Sequence, residues 1–260
     1  MLLTIAVVYL LVNLTVYGFQ EKLIYLPPPY SGETVRVPEK NRISFDLNGE
    51  TLSGVFQFTD NAKPTLVYFG GNAEDVVFNY FNFKENLDVN FFAINYRGYA
   101  GNSGKPTSKS ILLDAESLLM EIRERFQIPQ NKLVLMGRSL GSGVASQLIT
   151  NPDVAAIILI TPFDSLLSLA KKMMPLLPVS LLLKHHLDTV KQAKDAKIPL
   201  LVIVAEHDQV VPYESSKKVF DQWQHHDKKF VLIKNSDHNS LHNNVDYYYA
   251  VNEFLARIPR

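Results

Sequence analysis

Cysteine is missing from all 260 residues of this chain. Its absence excludes a disulfide framework, thiolate metal sites and a cysteine nucleophile, and leaves the redox compartment open. Excess charge is missing too: 26 Lys and Arg face 26 Asp and Glu. A nucleic-acid partner is therefore not expected, because polyanion binders need a cationic footprint. No internal repeat and no low-complexity tract interrupts the chain. The composition is 47% hydrophobic and 20% charged, which suits a folded core and is too apolar for disorder. The length fits one large domain or two small ones.

One further absence is local. Residues 1–20, MLLTIAVVYLLVNLTVYGFQ, carry no charged side chain, and only Thr4, Asn13, Thr15 and Gln20 are distinctly polar. At 1.5 Å per residue, about 18–19 such residues reach across a ~30 Å hydrocarbon core. The expectation is a retained single-pass membrane anchor at the N-terminus, with Tyr17, Phe19 and Tyr25 suited to an aromatic belt. A cleaved signal peptide competes, but it wants a basic start and a small-x-small cleavage site. No Lys or Arg precedes the apolar run, and Val16-Tyr17-Gly18 is a poor cleavage site. A buried helix of the main domain is the third reading. Lys22 beside Glu21 does not fix an orientation, so the side of the membrane stays open. Residues 21–40 read as a linker and 41–260 as the main domain.

From about residue 41 the chain reads as α/β. Segments 42–47 and 51–58 alternate apolar and polar residues around Asn48-Gly49, a hairpin turn signal. Six short apolar runs follow at 65–69, 90–94, 133–136, 155–160, 200–204 and 230–233. Their β-branched and aromatic content, often unbroken, predicts strands buried on both faces. Segments 111–126 and 245–255 place apolar residues at helical spacing. Two hairpin strands and six runs make a mixed, mostly parallel sheet of about eight strands, with helices on both faces and right-handed crossovers. Residues 161–198 break this rhythm with KKMMPLLPVSLLLKHH, where Pro175 and Pro178 interrupt a very apolar stretch. An ordinary crossover helix is one reading. A small cap at 165–195, or a surface that meets acyl chains or the bilayer, is the other.

The chemistry begins at Met136-Gly137-Arg138-Ser139-Leu140-Gly141-Ser142-Gly143, which follows a predicted strand and precedes a predicted helix at 144–149. The G-x-S-x-G pattern there suits a tight turn that lifts a serine hydroxyl clear of the sheet. The helix N-terminus points free N–H groups at the same place. Serine needs a base, and the base needs an orienting acid. Of seven histidines, His238 lies just after the last strand, where catalytic groups of open parallel sheets collect. His242 is its neighbour and rival. The pairs His185-His186 and His225-His226 sit in helical or polar surface stretches, where a metal role is conceivable but not expected. Asp208, right after the run 200–204, is the expected acid, with Asp164 the serious rival and Glu206 a weaker one. The backbone N–H of Leu140 is one expected oxyanion donor. The other comes from Gly70-Gly71-Asn72-Ala73-Glu74: Asn72 N–H, with Gly71 as the alternative.

Together these residues resemble the α/β-hydrolase superfamily, and within it the membrane-anchored serine hydrolases marked by F-H-G-N-A-G. The likeness rests on Phe69-Gly70-Gly71-Asn72-Ala73, Asn95-Tyr96-Arg97-Gly98-Tyr99 with Ser103-Gly104, and Gly137-Arg138-Ser139-Leu140-Gly141. It continues through Thr161-Pro162-Phe163-Asp164-Ser165, Asp208-Gln209-Val210-Val211-Pro212 and His238. The order Ser139, Asp208, His238 is that of the superfamily. The resemblance covers residues 23 to the carboxyl end and implies an α/β-hydrolase fold. That group includes lysophospholipid and monoacylglycerol lipases and protein depalmitoylases. Two departures stand out: Gly70 where the group has a histidine that braces the oxyanion loop, and Glu74 where it has glycine. Asn95–Tyr99 is expected to support that loop, with Arg97 in a structural ion pair.

The expected activity is hydrolysis of a carboxylic ester or thioester through a Ser139-Asp208-His238 triad, on a small-molecule or acyl/lipid substrate, with no metal and no organic cofactor required. A serine peptidase, or a non-catalytic binding protein on the same fold, are the alternatives.

Overall fold

The computed structural model describes residues 1–29, 36–129 and 131–258. Residues 30–35 of the expected linker, and the last two of the main domain, lie outside the described residues. In chain order the elements are α1 (Leu2–Ile24), β1 (Arg42–Leu47), β2 (Glu50–Gln57), β3 (Thr65–Phe69), α2 (Asn79–Asn86), β4 (Asn90–Ile94), α3 (Ser108–Arg125), β5 (Leu133–Arg138), α4 (Leu140–Gln147) and β6 (Val154–Ile160). They continue with α5 (Leu166–Met173), α6 (Val179–Leu182), α7 (Thr189–Ala193), β7 (Leu200–Ala205), α8 (Tyr213–Gln222), β8 (Lys228–Ile233) and α9 (Val245–Leu255).

The strands form one eight-stranded sheet in the order β1-β2-β4-β3-β5-β6-β7-β8. β1 and β2 pair antiparallel, as do β2 and β4, and every other pair is parallel. The hairpin between β1 and β2 turns through Asn48 (φ 49°) and Gly49 (φ 82°), both left-handed as a two-residue hairpin loop requires. The unbroken apolar runs have a simple cause. In β7, Leu200, Val202 and Val204 enter one core, while Leu201, Ile203 and Ala205 enter the other. β3, β5 and β6 divide in the same way. With alternate side chains buried on opposite faces, polar residues are confined to strand ends, as Thr65 and Arg138 are. β1 instead buries only Ile43, Phe45 and Leu47, one face of its pleat.

Helices cover both faces. On the first, α3 buries Ile111, Ala115, Leu118, Leu119 and Ile122, a single helical stripe. Its start is fixed by Thr107 and Ser110, whose side chains cap each other's backbone N–H groups. α2 and α9 cover the second face, through Tyr80 and Phe83 and through Val251 and Phe254. β3 sits at the centre. The chain leaves it through α2 to β4 on one side, then crosses over it through α3 to β5 on the other. Such a reversal opens a crevice at the carboxyl ends of β3 and β5.

The apolar N-terminal run is a single helix that continues past the charged pair to Ile24. Glu21 and Lys22 mark where the chain turns polar, not where the helix ends. The described backbone becomes extended at Tyr25, ahead of Leu26 and Pro27. α1 is long and apolar enough to cross a membrane. It is not a core helix: Leu3, Leu10, Leu14 and Phe19 are all more than half exposed. Only Asn13 and Gln20 are buried. Between β6 and β7 the chain forms three short helices, α5 to α7, in place of one long crossover helix. Pro175 and Pro178 fall between the first two, where they stop one helix and begin the next.

Candidate active site

Ser139 stands between β5 and α4 with φ 49° and ψ −112°, a conformation that L residues avoid. The turn is fixed from every side. Ser139 N–H donates to Ile160 O of the neighbouring strand at 2.9 Å, and its own carbonyl accepts from the Ser142 N–H and hydroxyl at 2.9 and 2.6 Å. The two glycines of the motif are there for contact. A Cβ on Gly137 would lie 2.2 Å from Gly141 O, and one on Gly141 would lie 2.0 Å from Phe69 O. Backbone meets backbone at both positions, so no side chain can move aside. This also explains why α4 begins at Leu140, before the expected 144: the Gly-Ser-Gly start lacks apolar periodicity but packs against β3 and β5. Ser139 is half-buried, and its hydroxyl has no hydrogen-bond partner among the described residues.

Asp208 and His238 meet directly. His238 Nδ1 lies 2.8 Å from Asp208 Oδ2, with both side chains less than a tenth exposed. The other Asp208 oxygen accepts the Val210 and Val211 N–H groups, each at 2.8 Å. Burial pushes the Asp208 carboxyl up, but the His238 bond and these two N–H groups outweigh it and hold it below the usual carboxylate range. An ionised Asp208 keeps the proton of His238 on Nδ1 and leaves Nε2 free to accept.

The rivals lie elsewhere. Asp164 Oδ1 accepts from the Ser215 hydroxyl at 2.8 Å and from Ser165 N–H at 2.9 Å, with Lys218 Nζ 3.3 Å from Oδ2. Glu206 accepts Asn235 N–H at 2.8 Å, which steadies the loop leading to His238 without touching the imidazole. His242 is solvent-exposed at the rim of the site, and partial desolvation together with the nearby Arg138 guanidinium lowers its pKa. The rings of His225 and His226 stack on each other 4.6 Å apart. Among the described residues, no three His, Asp or Glu side chains gather as metal ligands would.

On the oxyanion side, the two candidate donors of the loop after β3 differ. Gly71 N–H is spent on Glu74 Oε2 at 2.6 Å. Asn72 N–H and Leu140 N–H have no acceptor among the described residues. The Asn72 side chain is fully used: Nδ2 donates to Ile24 O at 2.7 Å, and Oδ1 accepts from Leu26 N–H and the Tyr99 hydroxyl at 2.9 and 2.7 Å. Tyr96 adds a hydroxyl bond to Gly70 O at 2.9 Å. Arg97 forms a two-pronged ion pair with Asp114 at 2.6 Å. Asn95–Tyr99 thus supports the loop from beneath.

Sequence reasoning missed the residue that ties these parts together. Glu74 Oε1 accepts from the Tyr68 hydroxyl at 2.8 Å and from Asn79 Nδ2 at 2.7 Å. Its Oε2 accepts from Gly71 N–H and, at 2.9 Å, from Arg138 Nη1. Arg138 Nη2 then donates to His238 O at 2.9 Å and Asn239 Oδ1 at 2.8 Å. One chain of charged hydrogen bonds therefore joins the oxyanion loop, the serine turn and the histidine loop. The only signal was that Glu74 stood where glycine is usual. At Gly70, where the resembled group has a histidine, a Cβ would lie 2.7 Å from Val76 Cγ1, so a side chain there requires Val76 to shift. A cleft of about 500 Å³ opens beside this network, lined by Asn72, Phe78, Arg138, Asn239, His242 and Tyr247 among others.

Known proteins agree with this architecture. A family model described as serine aminopeptidase, S33, matches residues 168–245, a span that contains Asp208 and His238 but not Ser139. The Escherichia coli protein YfhR is 28% identical over 236 residues, covering 87% of this chain and 80% of its own. The Arabidopsis thaliana alpha/beta hydrolase domain-containing protein WAV2 is 29% identical over 223 residues, covering 75% of this chain and 72% of its own. Among solved structures, the Pyrococcus furiosus esterase Pf2001 superposes with a TM-score of 0.69 at 15% identity, covering 91% of this chain and 98% of its own.

Proposed function

We propose that the chain, whose fold and sequence resemble those of α/β-hydrolases, is a serine hydrolase that cleaves a carboxylic ester or thioester through an acyl-enzyme. The observation that carries this reading is the 2.8 Å contact between Asp208 and His238, whose carbonyl is bonded by Arg138, the chain neighbour of the strained Ser139. In the proposed reaction, Ser139 Oγ bonds to the carbonyl carbon while its proton passes to His238 Nε2. The carbonyl oxygen takes up negative charge and accepts from the N–H groups of Leu140 and Asn72. The ester or thioester bond then breaks, and His238 returns the proton to the departing oxygen or sulfur. Water repeats the sequence: it loses a proton to His238, attacks the acyl carbon and releases Ser139. Asp208 stays ionised throughout. The Ser139 hydroxyl comes within hydrogen-bond reach of His238 when substrate binds, as is usual for enzymes that tighten on their substrate.

A lipid or acyl substrate fits the chain's two apolar features, α1 and the segment 173–183. We read α1 as a membrane anchor. p-Nitrophenyl esters of increasing chain length test the substrate class, with Ser139→Ala as the control. Turnover that persists or rises toward long acyl chains, and vanishes in Ser139→Ala, is expected. Activity confined to acetyl and butyryl esters would count against a lipid substrate. Cleavage of aminoacyl anilides in place of esters would favour a peptidase, the reading suggested by the description of the family model.

A further inference from the structure

α1 does not stand clear of the domain. Tyr9 OH donates to Leu176 O at 2.9 Å. Gln20 Nε2 donates to Leu182 O at 3.1 Å, and Gln20 Oε1 accepts Lys184 N–H at 2.8 Å. Lys184 Nζ sits 3.7 Å above the Tyr17 ring. Between these points, Val16 and Leu23 pack with Met174, Val179, Leu182 and Leu183 around a small apolar gap. The contacts run from residue 9 to the end of the helix. From Tyr9 to Gln20 alone they span about 16 Å of axis at 1.5 Å per residue. The segment that follows α5 is therefore strapped along the very stretch that is apolar enough to enter a membrane.

That segment is itself apolar. From Met173 to Leu183 it has no charged residue. Met173 is 77% exposed, and Leu176 and Leu181 are each 83% exposed. Lys171 and Lys172 flank it on one side and Lys184 on the other, where ammonium groups can reach lipid headgroups while their stems stay apolar. At the base of α1, the Ile24 carbonyl is held by Asn72 of the oxyanion loop.

We propose that residues 173–183 insert into the bilayer beside α1, so that helix and cap form one membrane-embedded face with the oxyanion loop at headgroup level. The proposal rests on α1 entering a membrane. A helix buried in hydrocarbon carries the Leu176 segment fastened to Tyr9 to the same depth, while Tyr17 and the Lys184 ammonium over its ring lie toward the headgroup end. The exposed leucines match that destination, since an apolar patch of this kind is costly in water. Ester-bearing lipids or acylated chains would then approach the active site from the membrane rather than from solution.

The absence of cysteine makes the test direct. Leu10→Cys, Leu176→Cys, Leu181→Cys and, as a control on α9, Tyr249→Cys each give the full-length chain one labelling site. All four side chains are more than half exposed, so the fold is spared. Each variant is labelled with a polarity-sensitive nitrobenzoxadiazole dye and reconstituted in phosphatidylcholine–phosphatidylglycerol vesicles carrying acyl-chain nitroxides. Positions 10, 176 and 181 should be blue-shifted and quenched at least twofold, with 249 unaffected. Quenching at 10 without quenching at 176 and 181 would overturn the inserted cap while leaving α1 in the membrane. No quenching at 10 would overturn both.

Discussion

Arg138 and Glu74 are 64 positions apart in the chain, yet their side chains form a 2.9 Å ion pair across the site. The pair is enclosed, with 19% and 13% of the two side chains exposed. Burial works against the charge on Arg138, but Glu74 more than offsets it and raises the guanidinium pKa. Because Glu74 also holds Gly71 and Arg138 also holds His238, removing one charge should disturb two loops at once. Glu74→Gln keeps the volume but leaves Arg138 poorly paired. We expect kcat to fall about 10- to 100-fold, the scale of a misplaced catalytic group. KM should change little, and melting temperature should drop by several degrees. Steady-state kinetics and thermal melts measure all three. Unchanged kcat would reduce the pair to a structural role.

The two acids should separate by activity. Asp208→Asn removes the charge that fixes the His238 tautomer, so kcat should fall by about 10⁴-fold. Asp164→Asn disturbs Ser215, Ser165, Ser168 and Lys218 and should leave kcat within about threefold of the parent. The reverse order would move the catalytic acid to Asp164.

Both carboxyls also set an acid limit. Burial pushes Asp164 up, but the Ser215 hydroxyl, the Ser165 N–H, Ser168 and Lys218 outweigh it and hold it below its ordinary value, as Asp208 is held by His238. Each carboxylate then stabilises the fold above the unfolded-state pKa of about 4, and that contribution is lost as pH falls through the lower folded-state value. Melting temperatures followed downward from pH 7 should decline below about pH 4. The difference between the parent and Asp164→Asn should close over the same interval. A constant difference down to pH 2 would contradict the assignment.

Gly141→Ala should cost about 2–4 kcal/mol and abolish activity, because its Cβ has only the Phe69 carbonyl to displace. Gly18→Ala, with nothing within 4 Å of its Cβ, should be neutral or slightly stabilising. Chemical denaturation of the two variants makes the comparison.

The contrast between what could and could not be read from the chain follows the range of each interaction. Strands such as β3 and β7 were legible because burial on both faces leaves an unbroken apolar run. The contact between Asp208 and His238 could be anticipated because they follow β7 and β8, neighbouring parallel strands whose carboxyl ends lie together. The early start of α4 was not, since close packing of glycine backbone leaves no periodic pattern. Nor was the three-helix form of residues 166–193, where Pro175 and Pro178 cut the apolar stretch after α5 into pieces too short to show a helical repeat. Glu74 was the hardest case. A single carboxylate where glycine is usual does not name its partner until the fold brings Arg138 to it.

The proposed reaction stands or falls on Ser139 as the nucleophile. A fluorophosphonate probe forms a covalent bond with an activated serine, and the modified peptide can be located by mass spectrometry. A nucleophilic Ser139 gives stoichiometric labelling at that residue, none in Ser139→Ala, and strongly slowed labelling in His238→Ala and Asp208→Asn. Failure of the folded parent protein to label, or labelling that survives in Ser139→Ala, would contradict it.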